Sequence, residues 1–103
     1  MSGLGTLKAK VEEVLKEIPP TRDNDKLLTW RIWECYYGVR GTVEMWQFMT
    51  LPSQSNIQRI RAKFQNDKKQ PKYLPTSERV ALQRGLNIER WRKSLGYGEL
   101  FPL

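Results

Sequence analysis

The sequence predicts an all-α fold, a bundle of about five helices in one domain spanning residues 1–103. Three observations lead there. Apolar residues recur at i, i+3, i+4 and i+7 in several separate windows, the spacing of a helix face. Capping residues and prolines stand between those windows. The chain has 103 residues with four Trp, four Tyr and three Phe, enough for one real core and little more.

The first helix is expected over residues 4–18. Leu4, Leu7, Val11, Val14, Leu15 and Ile18 share one face, and Lys8, Lys10, Glu12, Glu13, Lys16 and Glu17 solvate the rest. Thr6 is its cap if the first residues fray, and Pro19 and Pro20 stop it. The turn TRDND follows, with Asp23 chosen as the next cap. A second helix over about 24–38 carries Leu27, Leu28, Trp30, Ile32, Trp33, Tyr36 and Tyr37, apolar around much of its circumference and therefore central. Trp30, Trp33 and Tyr37 could stack on bases, but their helical spacing favours core packing. Cys35 is expected on this helix, buried or half-buried and not activated.

Gly38 and Gly41 end that helix. Thr42 is expected to cap a short helix, Val43 to Met49, whose apolar members are Met45, Trp46, Phe48 and Met49. An isolated strand is the competing reading of VEMWQFM; the cap, Glu44 in the first turn and the nearness of the next cap favour helix.

The stretch LPSQSNIQRIRAKFQND, Leu51 to Asp67, is the centre of the functional reading. Pro52 discourages a helix from running through, and Ser53 caps a new one over 54–66. Ile57, Ile60 and Phe64 form its apolar stripe. The opposite side carries Ser55, Gln58, Arg59, Ala62 and Asn66, side-chain types that read base edges: Arg for guanine, Gln and Asn for adenine, Ala against a thymine methyl. Arg61, Lys63, Lys68, Lys69 and Lys72 are the expected phosphate contacts. Two helices joined by about four turn residues make a helix-turn-helix candidate, although the Gly usual in that turn is missing. A plain solvated helix face is the competing reading.

KKQPKYLPT, Lys68 to Thr76, reads as an extended loop anchored by Tyr73 and Leu74, either an arm along a phosphate backbone or a solvated connector. Thr76 is the expected cap of the next helix, with Val80, Ala81, Leu82 and Leu86 inward and Arg79 and Arg84 outward. Gly85 suggests a break before a last helix, Ile88 to Leu95, capped by Asn87; one longer helix through Gly85 would cost about 1 kcal/mol. Residues 97–103 form a tail in which Tyr97, Leu100, Phe101 and Leu103 are too apolar for a free end, so it is expected to pack on the core or on a partner such as a second copy.

Charge sharpens the functional reading. The formal net charge is +7. Residues 1–53 hold seven Lys/Arg and seven Asp/Glu; residues 54–103 hold eleven and four and so carry the whole excess. An asymmetric basic half points to a polyanion, nucleic acid first, with an acidic protein surface as the alternative.

Other classes find little support. There is no His, no second Cys and no phosphate-binding glycine pattern, so catalysis, a zinc site and a cofactor are not expected. A carboxylate metal cluster would have to use Asp23, Asp25, Glu34 or Glu44, and the two aspartates are better explained as helix caps. No apolar run approaches the ~20 residues of a membrane span, and the first residues lack the apolar core of a signal peptide.

TRDNDKLLTWRIWE, LPSQSNIQRIRAKFQND, YLPTSERVALQR and ERWRKSLGY together resemble a group of small proteins encoded by phages and prophages of Gram-positive bacteria, over roughly residues 10–97. Some of that group carry a helix-turn-helix label. The resemblance implies a phage origin and the host-cell cytoplasm, and brings no catalytic residues. The expectation is a regulatory protein that binds double-stranded DNA, working as a homodimer because one small domain makes few contacts. The alternative is a phage-encoded inhibitor, anti-CRISPR-like or otherwise, that binds a host protein or ribonucleoprotein complex. RNA binding through exposed Trp46 or Tyr73 is a third reading, but both are expected to be at least partly buried.

Overall fold

A computed structural model describes residues 5–94. Those residues form six α-helices and no strand: α1 (Leu7–Glu17), α2 (Asp25–Tyr36), α3 (Met45–Thr50), α4 (Gln54–Gln65), α5 (Glu78–Gln83) and α6 (Ile88–Ser94), with one 3₁₀ turn, Pro19–Arg22, between α1 and α2. The all-α expectation is met. Leu4, Leu95 and the tail 97–103 lie outside the described residues.

The helix boundaries follow local chemistry. The Thr6 hydroxyl accepts the Ala9 N–H at the start of α1, the Ser53 hydroxyl accepts the Asn56 N–H at the start of α4, and Asn87 Oδ1 accepts the Arg90 N–H at the start of α6, all as the sequence predicts. Three expected caps are displaced by one or two residues. Asn24, not Asp23, caps α2, its Oδ1 accepting from Lys26 and Leu27. Glu44, not Thr42, starts α3, in a reciprocal box with Gln47. Ser77, not Thr76, caps α5. In two of these cases the displaced residue has a distant partner: Asp23 and Thr76 bond each other.

The core is a three-helix unit. α1, α2 and α4 pack pairwise, burying Val11, Val14, Leu15, Leu28, Ile32 and Ile57. Ile60, Phe64, Tyr36, Tyr37 and Tyr73 close its edges. The α2 aromatics therefore act as packing: Trp33 donates its indole N–H to the Pro52 carbonyl at 2.9 Å, and Lys10 caps the Tyr37 ring at 4.6 Å. Cys35 is on α2 as expected but is exposed.

α5 and α6 pair with each other, and Gly85 breaks the chain between them at φ +71°, a conformation that favours glycine. The single-helix alternative is thus excluded. Trp91 is buried here, donating to the Pro75 carbonyl at 2.7 Å, with Ala81 also buried.

What joins this hairpin to the three-helix unit is largely polar. Asp23 accepts the Thr76 N–H at 2.7 Å and the Thr76 hydroxyl. Arg84, expected to face solvent, is instead half-buried: it donates to Gln65 Oε1 at 3.0 Å and to the Arg22 carbonyl, and its guanidinium lies 3.7 Å from Asp25. Burial, with the neighbouring Arg61 cation, pulls the Arg84 pKa down. Gln65 completes the joint by donating to the carbonyls of Arg22 and Tyr73. Among the described residues no buried side-chain nitrogen or oxygen lacks a hydrogen-bond partner, the condition under which such a network specifies a fold instead of weakening it.

Candidate nucleic-acid interface

α4 decides what the chain can present. Ile57, Arg61 and Gln65 follow i, i+4, i+8 and are all buried. On the opposite side Ser55, Gln58 and Arg59 are exposed and Ala62 is half-buried, and these four line one shallow depression on the surface. Four of the five residues expected to face bases are therefore brought together. The group offers a hydroxyl, an amide, a guanidinium and a methyl within one helical stripe, a set able to bond to and discriminate a flat heterocyclic edge.

Asn66, the fifth, is set apart. It is the C-cap of α4, and its amide donates to the Ala62 carbonyl at 2.9 Å, so it serves the helix end.

Of the five expected phosphate contacts, Arg61 must be corrected. It is 4% exposed and holds Asp25 with both prongs of its guanidinium, Nε to Oδ1 at 3.0 Å and Nη2 to Oδ2 at 2.9 Å. A cation so placed offers nothing to a ligand. Lys63, Lys68, Lys69 and Lys72 are all exposed. Lys63 and Lys72 flank a cleft of about 420 Å³ floored by Ile60 and Phe64. Lys8 of α1 joins them there, its ammonium 5.8 Å from the centre of the Phe64 ring. Sequence reasoning placed Lys8 only among solvating residues; nothing local could have shown that α1 lies beside the end of α4. Lys68 lies toward α6, where its carbonyl accepts from Arg90 at 3.1 Å.

The loop after α4 has a defined shape. Asp67 Oδ1 accepts the N–H groups of Lys69 and Gln70 at 2.8 and 2.9 Å, and the bonds from Gln70 and Lys69 hold its pKa below the ordinary carboxylate range. Tyr73 has positive φ (54°), a costly conformation for a non-glycine residue that surrounding contacts must hold. Its ring meets Phe64 edge-on at 5.5 Å, its hydroxyl donates to Glu12 at 2.9 Å, and its carbonyl accepts from Gln65.

The segment before α4 departs from expectation. α3 and α4 have the order and spacing of a helix-turn-helix, but α3 is not packed against α4 as the first helix of such a unit would be. Met45, Trp46, Phe48 and Met49 are 80, 69, 61 and 72% exposed. The expectation that Trp46 is at least partly buried fails accordingly. Phe48 meets the edge of the Trp33 ring at 6.3 Å.

Fold and surface thus define an all-α protein with a polar stripe on one helix, lysines beyond its end and a bare apolar helix before it. No protein-family model matches the sequence, and no curated protein or solved structure is significantly similar to it. Among the described residues there is no group of three or more His, Cys, Asp or Glu placed to hold a metal ion, and no helix long and apolar enough to cross a membrane.

Proposed function

We propose that this chain binds double-stranded DNA through the outer face of α4, as a regulatory protein of phage origin acting in the host cytoplasm. The observation that carries the reading is the gathering of Ser55, Gln58, Arg59 and Ala62 in one surface depression. Lys63, Lys72 and Lys8 around the adjoining cleft supply cations for the backbone on one side, and Lys68 and Lys69 are exposed in the loop after α4. The reading rests on α4 as an exposed reading helix and not on a packed helix-turn-helix pair.

A gel shift with phage and random duplexes at low salt tests it. Binding should fall steeply as salt rises, because lysine contacts release condensed counterions. No shift on any duplex at low salt would sink the reading.

A second reading is favoured by the bareness of α3. A phage-encoded inhibitor would lay Met45, Trp46 and Met49 against an apolar surface of a host protein. Such binding would be nearly indifferent to salt and would survive nuclease treatment of a host lysate.

A further inference from the structure

α3 is the most anomalous surface among the described residues. It has six residues, four of them large and apolar and each more than 60% exposed. At ~100° per residue, Phe48, Met45, Met49 and Trp46 fall within an arc of roughly 160°, with Gln47 and Thr50 on the other side. The polar pair serves the helix itself: Gln47 Oε1 accepts the Glu44 N–H, and the Thr50 hydroxyl donates to the Gln47 carbonyl. The apolar arc is also held in place from behind, through Phe48 on Trp33 and the Trp33 indole on the Pro52 carbonyl. It is a positioned face with nothing over it among the described residues.

We infer that a second copy of this chain covers it, the two α3 helices pairing about a two-fold axis. Three observations select this occupant. The first is area. Two aromatics and two methionines at these exposures present roughly 500 Å² of apolar surface, at the upper end of what monomers leave bare. That is more than half of the ~800 Å² per partner in a standard interface, and half-buried Val43, Leu51, Trp30 and Trp33 lie close in sequence or contact to supply more. The second is self-complementarity. Met45 and Met49 occupy the middle of the arc with an aromatic on either side, so a two-fold sets the adaptable thioethers of both copies together at the centre of the contact with the rings around them. The third is charge. α3 itself is uncharged, its nearest charged neighbours in sequence are Arg40 and Glu44, and it belongs to the half of the chain whose charges cancel. Two copies can meet there without opposing the residues that carry the net +7.

Because only Leu51, Pro52 and Ser53 separate α3 from α4, such a dimer would carry two α4 faces at one fixed separation. Dimerisation itself does not depend on the DNA reading and is measured without DNA. The test is sedimentation velocity of the full chain, in reductant, over a wide concentration series. The wild type should pass from a monomer of 12.2 kDa to twice that mass. Trp46→Glu with Phe48→Ser should weaken the dimer by roughly thirtyfold or more, and Met45→Ser with Met49→Ser should do the same without touching the Trp33 contact. Both should keep the far-UV circular dichroism of the parent. A wild type that stays monomeric at the highest concentration, or an assembly that both variants leave unchanged, overturns the inference. DNA binding that survives in a monomer would leave the reading of α4 standing alone.

Discussion

Arg61 and Asp25, 36 residues apart in sequence, face each other across the α2–α4 contact as a two-pronged ion pair, at 3.0 and 2.9 Å. Arg84 approaches the same carboxylate from the α5–α6 side, at 3.7 Å. One aspartate therefore serves two cations, and Gln65 accepts from both of them. This arrangement turns two of the eleven cations of the basic half inward, so the charge available to a ligand is smaller than the sequence count.

Removing Arg61 takes both direct hydrogen bonds from the half-buried Asp25 carboxylate and leaves it the longer contact to Arg84. Arg61→Ala should destabilise the fold by about 1.5–3 kcal/mol, read as a lower urea midpoint. Arg61→Lys should recover little, since an ammonium cannot span both carboxylate oxygens. A loss within the ~0.5 kcal/mol typical of surface substitutions would show that the pair contributes nothing.

Asp23 should behave differently. Its carboxylate ties Thr76 and Ser77 to the turn before α2, outside the apolar core. Asp23→Ala should cost about 1 kcal/mol overall, with faster amide exchange concentrated in residues 76–84 while α1, α2 and α4 keep their protection.

For the DNA reading, Arg59→Ala should lose discrimination between target and random duplex by roughly 1–3 kcal/mol, whereas Lys69→Ala should weaken both alike and flatten the salt dependence. Neither residue supports the core, so thermal midpoints should hardly move. Equal losses on every duplex for both variants would remove Arg59 from the role of base reader.

Tyr73 predicts an alkaline effect. Desolvation by burial, then the hydrogen bond and charge of Glu12, raise its phenol pKa above the ordinary tyrosine range. The neutral phenol is the form the fold favours. Its contribution is therefore complete below the unfolded pKa and is lost as pH rises through the raised folded value. Tyrosinate absorbance should show a late-titrating component that Tyr73→Phe removes.

Asp67 predicts the acid counterpart. Its folded pKa is lowered by the backbone N–H groups of Gln70 and Lys69, so its hold on the loop is present above the unfolded pKa and is lost as pH falls through the lowered folded value. Amide shifts of Lys69 and Gln70 should titrate together below the ordinary carboxylate range, and Asp67→Asn should abolish that step.

The sequence by itself determined where helices run and which face of α4 is wet. Capping side chains, prolines and the i, i+3, i+7 rhythm act within a few residues, so Thr6, Ser53 and Asn87 were legible, as were Ile57, Ile60 and Phe64 facing in and Ser55, Gln58, Arg59 and Ala62 facing out. Even the position of Arg61 was written in that rhythm, because it lies only ~40° around the helix from Ile57. Its partner was not. Whether a charged side chain near a helix's inner edge snorkels to solvent or turns inward depends on what the neighbouring helix offers, and Asp25 is brought there only by the packing of α2 on α4. The same reason accounts for Arg84, for Asp23 reaching Thr76, and for Lys8 joining Lys63 and Lys72. For α3, tertiary structure decided in the opposite sense. Its apolar composition promised burial, but burial needs a facing surface, and the described part of this chain leaves Met45, Trp46 and Met49 without one.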